Sequence, residues 1–281
     1  MGRGSVRFGG ASYCRGNIVT LNIDLTNYRA LITGVSSGIG AGIADSLAQA
    51  GCDVAGCGLE SADSEEAERF VLTAESHGRR AKYQSLDIAD ADASRSFVNW
   101  AAAQLGGLDI VVSNAGRNFF RGVEKATDAD WESNINLNLA AHWRVAQAAK
   151  PYLDQSPAPV IIIITSNHAL YTLPNSFPYN VAKAGLVAMV QSMAIEWGPH
   201  IRAVGIAPGF VDTPLAEAWF NEFPNPAAKR AQIVSLHPVG RLGTPQDVGA
   251  LCAFVCSSMA SNISGNTILI DGGRNAVMQD V

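Results

Sequence analysis

The stretch "RALITGVSSGIGAGIADSLAQA", residues 29–50, runs from a short apolar segment through a glycine-bearing turn into helical spacing. Its first five residues, "RALIT", show no polar alternation, as expected of a strand covered on both faces. Apolar spacing over 39–50 predicts a helix directly after the turn. The same succession repeats outward along the chain. Further strand candidates are "DVAGCG" (53–58), "AKYQSLD" (81–87), "LDIVVSN" (108–114), "VIIIIT" (160–165), "RAVGIAP" (202–208) and "TILID" (267–271). Helical spacing fills 63–77, 91–105, 129–149, 178–197 and 246–258. Apolar strands alternating with helices predict an α/β fold, a doubly wound seven-stranded parallel sheet with helices on both faces.

No composition shift or long Pro/Gly linker interrupts residues 28–273, so one domain is expected there. An N-terminal extension (1–27) precedes it and a C-terminal tail (274–281) follows. The tail is expected to fray or to reach a neighbouring subunit. Residues 213–245 hold Pro214, Pro224, Pro226 and Pro238 among aromatic and helical pieces, which reads as an insertion over the sheet edge. The first 23 residues contain Arg3, Arg7 and Arg15 and no acid. A transit peptide shares that bias but needs an amphipathic pattern that this Gly-rich stretch lacks; an unstructured tail or a start set too far upstream stays open.

With 281 residues, 48% of them hydrophobic and 16% charged, the chain can bury a substantial core. A net charge of −5 shows none of the basic excess that marks nucleic-acid binding. No apolar run reaches the roughly 20 residues needed to span a bilayer. Cys14, Cys52, Cys57, Cys252 and Cys256 form no CxxC pair, so buried thiols in the reducing cytoplasm are expected rather than a metal site.

Glycines 34, 38 and 40 in "TGVSSGIG" (33–40) follow a strand directly and open a helix. The spacing is not GxGxxG, yet the physical logic is shared. Missing side chains let backbone N–H groups and the helix N-terminus approach a pyrophosphate. A tight turn that needs glycine for its geometry is the plainer reading. Position favours the first, because dinucleotides bind at the carboxyl ends of parallel strands.

A second motif is "YNVAK", in which Tyr179 precedes Lys183 by one helical turn, so phenol and ammonium share a face. "TGVSSGIG" resembles the TGxxxGIG motif of the short-chain dehydrogenase/reductase family, and "YNVAK" its YxxxK motif. Other pieces follow in the family's order: "SNAG" (113–116), Asn138 in "NLNLAAHW", Ser166 thirteen residues before Tyr179, "APGFVDTP" (207–214), and "GRLGTPQDV" through "DGG" (240–273). The resemblance spans about residues 28–273 and implies a Rossmann fold, a nicotinamide cofactor and a homotetramer. The helices at 129–149 and 178–197 would then form subunit faces.

The resemblance also implies roles. Tyr179 serves as acid and base, and Ser166 holds the substrate oxygen by a hydrogen bond. Lys183 binds the nicotinamide ribose and, as an opposite charge one turn away, is expected to favour the phenolate. Asn138 helps hold a water beside the lysine. Gly34, Ser36, Ser37, Gly38, Ile39 and Gly40 cradle the cofactor phosphates. Asp87 and Ile88 contact the adenine; Asn114, Ala115 and Gly116 leave room beside the adenosine. Pro208, Gly209 and Val211 line the nicotinamide end. Thr213 either reaches the carboxamide or caps a helix.

The end of the second strand selects NAD or NADP through an acid or an Arg. Gly58 stands where NAD-specific relatives carry Asp, and Leu59 where many NADP users carry Arg. Glu60 lies close by, and Asp63, Glu65, Glu66 and Glu68 follow before any base, so NAD is slightly favoured. An acid-rich helix N-terminus explains that run equally well. For the substrate, a secondary alcohol or carbonyl is expected, with a sugar or sugar acid favoured because "SNHALYTLPNSFPY" resembles the loop of sugar dehydrogenases. A 3-oxoacyl thioester reductase and a non-catalytic cofactor-binding scaffold are the alternatives. His168 is either a sugar-hydroxyl ligand or a satisfied loop histidine; Arg117 pairs with a substrate carboxylate or a surface acid. Trp219, Phe220 and Phe223 read as lid residues or as packing.

Overall fold

The computed structural model describes residues 22–277. The N-terminal arginines, Cys14 and residues 278–281 lie outside them. The strands are β1 (Arg29–Thr33), β2 (Asp53–Gly58), β3 (Ala81–Ser85), β4 (Ile110–Ser113), β5 (Val160–Ile164), β6 (Arg202–Pro208) and β7 (Thr267–Ile270). They form one parallel sheet in the order β3-β2-β1-β4-β5-β6-β7. The order reverses between β1 and β4, which opens a crevice at their carboxyl ends.

The helices are α1 (Gly38–Gln49), α2 (Glu65–Ser76), α3 (Ala91–Leu105), α4 (Asp128–Ile135), α5 (Ala141–Leu153), α6 (Tyr179–Trp197), α7 (Pro214–Phe220), α8 (Pro226–Ser235) and α9 (Pro245–Cys256). Alternate side chains of each central strand feed two cores. Ile32, Val112 and Ile162 pack toward α1 and α9; Leu31, Val111 and Ile161 pack toward α3, α5 and α6. Each fully buried side chain of this size stabilises the fold by about 1.5–3 kcal/mol relative to exposure. Cys52, Cys57, Cys252 and Cys256 are buried free thiols within these layers.

Three departures from the sequence reading matter. The helix expected over 129–149 is two helices joined by a π-helical turn at Asn136–Ala140. Within the extension expected over 1–27, Leu25 is buried, and its N–H donates to the Ala50 carbonyl (2.7 Å). Leu25 belongs to the core cluster under α1 and α9, which ties this segment to the domain. The tail expected from 274 begins instead with a 3₁₀ turn, Arg274–Ala276, held by Asp271 accepting from the N–H groups of Gly273 and Asn275. No described helix is long and apolar enough to cross a membrane.

Candidate active site

A cleft of about 1150 Å³ opens at the carboxyl ends of β1, β2, β4, β5 and β6. That exceeds the roughly 300–1,000 Å³ usual for a small-molecule site, leaving room for an extended ligand and a second, smaller one. Its floor is the β1–α1 turn. Gly34 (φ +74°) and Gly38 (φ +57°) occupy the left-handed region that disfavours side chains. A Cβ on Gly40 would stand 1.8 Å from the Gly34 oxygen. The turn is tied to β4: Asn114 Nδ2 donates to the carbonyls of Thr33 (2.9 Å) and Gly34 (3.1 Å), and Thr33 Oγ1 accepts from the N–H groups of Asn114 and Ala115.

Side chains cap α2 (Ser64), α3 (Asp90) and α9 (Thr244), but Ser37 at the start of α1 makes no side-chain cap and no acid sits in that first turn. The orphan N–H groups and positive dipole end of α1 therefore face the cleft uncompensated. That cradle fits a pyrophosphate.

At the end of β2, a Cβ on Gly58 would stand 1.9 Å from Ser36 Oγ, 2.7 Å from the Tyr83 hydroxyl and 2.8 Å from Glu60 Oε2. Tyr83 on β3 donates to the Glu60 carbonyl (2.9 Å) and lies 3.3 Å from Ser36 Oγ. The space an acid at position 58 would use is filled, and the Glu60 carboxylate stands beside it. A cation also reaches this corner: Arg69 Nη2 on α2 donates to the Ser36 carbonyl (3.3 Å). Leu59, Asp87 and Ile88 line the same end of the cleft.

At the other end, Ser166 (after β5), Tyr179 and Lys183 (first turns of α6) are all buried and line the cleft together. Lys183 Nζ donates to the Ile164 carbonyl (3.0 Å) and lies 5.7 Å from the Tyr179 ring centroid. Burial pushes the phenol up to about 12, against a lowering by its hydrogen bond with Ser166. Burial also pulls the Lys183 ammonium down to about 7. The lowered phenol expected from the one-turn spacing is thus overridden: loss of water penalises both charges more than their proximity helps either.

Asn138 sits on the π turn and is fully buried. Its Oδ1 accepts from the Arg117 N–H (3.1 Å), and its Nδ2 donates to the Arg117 carbonyl (3.0 Å) and Asn134 Oδ1 (2.9 Å). Asn134 Nδ2 in turn donates to the Pro178 carbonyl, one residue before Tyr179 (3.0 Å). A chain of amides therefore links the loop after β4 to the start of α6. The sequence reading missed Asn134; its signal was a second asparagine one turn before Asn138. It also missed the buried pair Ser113–His142 (2.8 Å) beneath the same loop.

His168 packs edge-on against Tyr179 (6.0 Å between centroids) and tilted against Phe120 (5.5 Å), with Nδ1 3.2 Å from Thr172 Oγ1. Arg117 lines the cleft with its guanidinium 5.2 Å from the Phe119 ring centre. Pro208, Gly209 and Val211 border the cleft after β6. Thr213 Oγ1 accepts from the Ala216 N–H, so it caps α7. Trp219 reaches the cleft, but Phe220 is 1% exposed and packs against Phe210 and Trp219 beneath α7. Phe220 is therefore packing, because its position in α7 faces the small cluster with Ile233 and Leu242.

A family profile described as "Enoyl-(Acyl carrier protein) reductase" matches residues 34–275. The chain belongs to the short-chain dehydrogenase/reductase family. It is 32% identical over 252 residues to "Dehydrogenase/reductase SDR family member 4" of Sus scrofa, covering 89% of this chain and 88% of the relative. It is also 32% identical over 256 residues to "D-beta-hydroxybutyrate dehydrogenase" of Cupriavidus necator, covering 89% and 98%. Among solved structures, carveol dehydrogenase from Mycobacterium avium in complex with NAD superposes with a TM-score of 0.84 at 25% identity, covering 90% of this chain and 99% of that one. Family membership makes this chain an NAD(P)-dependent oxidoreductase.

Proposed function

We propose that the chain interconverts a secondary alcohol and its carbonyl compound, with a sugar or sugar acid as substrate and NAD as the favoured cofactor. The carrying observation is the shared cleft: Ser166, Tyr179 and Lys183 stand at one end and the uncapped α1 N-terminus at the other. When bound, the nicotinamide cofactor accepts or supplies the hydride. In reduction Tyr179, protonated as its raised value requires, gives its proton to the substrate oxygen. In oxidation it takes the hydroxyl proton as the phenolate, a form that the positive charge of an oxidised nicotinamide and the Lys183 ammonium would favour. Ser166 orients the substrate oxygen toward the phenol. Lys183, held by the Ile164 carbonyl, keeps a donor beside the phenol and is placed to meet the ribose. The Asn138–Asn134–Pro178 chain fixes the distance between the loop after β4 and Tyr179.

The NAD preference rests on Glu60, which occupies the corner that Gly58 leaves without a carboxylate of its own. The polar lining contributed by His168, Thr172 and Gln232 favours a substrate with several hydroxyls, and α7 and α8 are the lid that covers it. Buried thiols suit the reducing cytoplasm.

The test is absorbance at 340 nm with both cofactors against aldoses, aldonates, simple alcohols and an acetoacetyl thioester. NAD reduction by aldoses or aldonates is expected, with Glu60→Gln narrowing the NAD/NADP ratio of kcat/KM by roughly tenfold, the worth of one charged hydrogen bond. Turnover of the thioester alone with NADPH would overturn the substrate and cofactor assignment.

Assembly is proposed as a homotetramer. Exposed Trp143, Val181 and Ile195 on α5 and α6 give those faces apolar area to cover. Light scattering is expected to return four times the chain mass at micromolar concentration; a monomer would refute it.

A further inference from the structure

The 3₁₀ turn after β7 places at the cleft a charged donor, Arg274, that the reaction described above does not use. Arg274 and Asn275 both line it. Arg29, Arg80, Arg121, Arg230 and Arg241 each hold a carboxylate. The Arg274 side chain, half-buried, meets no acceptor among the described residues. The neighbouring carboxylate, Asp271, accepts instead from the backbone of Gly273 and Asn275. Asn275 Nδ2 is buried and has no partner among the described residues.

The Arg274 side chain keeps part of its surface open at the cleft and carries no hydrogen-bonded carboxylate among the described residues, so an acceptor entering there gains a charged hydrogen bond. The guanidinium offers donors alone, so its complement is an acceptor-only group. A planar carboxylate matches the guanidinium fork. Arg274 lines the same cleft as His168, whose ring lies 6.0 Å from that of Tyr179.

We propose that Arg274 binds a carboxylate carried by the secondary-alcohol substrate, which makes this chain selective for hydroxy acids over neutral alcohols. This deepens the reading under Proposed function and rests on it for the reaction, but not for the binding. Arg274 is a specificity-determining residue here.

Calorimetric titration of the NADH-loaded protein with D-gluconate and 3-hydroxybutyrate, each against its methyl ester, tests the proposal. The acids are expected to bind roughly tenfold or more tightly than the esters. Arg274→Met is expected to erase that difference while leaving ester and NADH binding unchanged, and Arg274→Lys to restore part of it. Esters binding as well as acids, acids failing to bind, or Arg274→Met weakening acids and esters alike would each overturn it. Preferential binding of a sugar phosphate that Arg274→Met abolishes would overturn the carboxylate assignment. Turnover followed in parallel separates the two readings: acid-selective binding without turnover condemns the proposed reaction and sustains the anion site.

Discussion

Tyr179→Phe is expected to lower kcat by roughly 10²–10⁴-fold, the usual contribution of a positioned general acid–base group, while NADH binding is retained. The ring is buried, packs edge-on against Phe120 and His168, and begins α6. Phenylalanine preserves all of that packing and removes only the proton-carrying oxygen. The fold should therefore survive, and the loss should appear in kcat rather than in cofactor affinity. Steady-state rates at 340 nm and NADH fluorescence titration on the same preparation read the two quantities. A variant that keeps wild-type kcat would place the proton transfer elsewhere.

Lys183→Met is expected to abolish turnover and weaken cofactor binding, yet to stabilise the protein at low pH. Burial pulls the ammonium from 10.5 to about 7. The folded state therefore holds the charge at a cost of about 4–5 kcal/mol at pH 7 and below. Methionine forfeits the hydrogen bond to the Ile164 carbonyl, about 1–3 kcal/mol, which is the smaller quantity. The sign follows from the depressed folded value. Between pH 7 and 10.5 the unfolded chain binds the extra proton, so the wild-type penalty fades as pH rises through that window. Thermal unfolding without added cofactor should show Lys183→Met several degrees more stable at pH 6, with the gap closing by pH 10. A gap independent of pH would show that Lys183 is not held under this penalty.

Those two residues were readable in advance because the family motif fixes their spacing, but their electrostatics were not. A one-turn spacing speaks of proximity and says nothing about how much water remains, and here water loss governs both groups. The strands were readable for a similar reason of chemistry. "VIIII" and "RALIT" are runs that only a sheet covered on both faces can bury. β3, at the sheet edge, is more polar and only partly buried, and its end was set two residues too late.

The π turn at Asn136–Ala140 was hidden because inserting one residue into a helix barely disturbs its apolar period. It nevertheless turns Asn138 inward. Phe220 stayed open between lid and packing because a short helix over a cleft can aim either face at it, and sequence spacing does not choose the face. Arg274 and Asn275 went unnoticed because a single 3₁₀ turn leaves no periodic signature, although they follow the matched "DGG" directly. Tyr83 was absent from the cofactor corner for want of any local cue, since a parallel neighbour strand supplies it.

The central claim is that a nicotinamide ring binds against Tyr179 and Ser166 with its phosphates on the N-terminus of α1. Crystals grown with NAD and an oxidisable alcohol test this most directly. The account predicts the pyrophosphate at the backbone of Gly38–Gly40 and the reacting carbons about 3–3.5 Å apart, with the alcohol oxygen on the Tyr179 hydroxyl. A cofactor lodged elsewhere, or one whose nicotinamide ring points away from Tyr179, would contradict it.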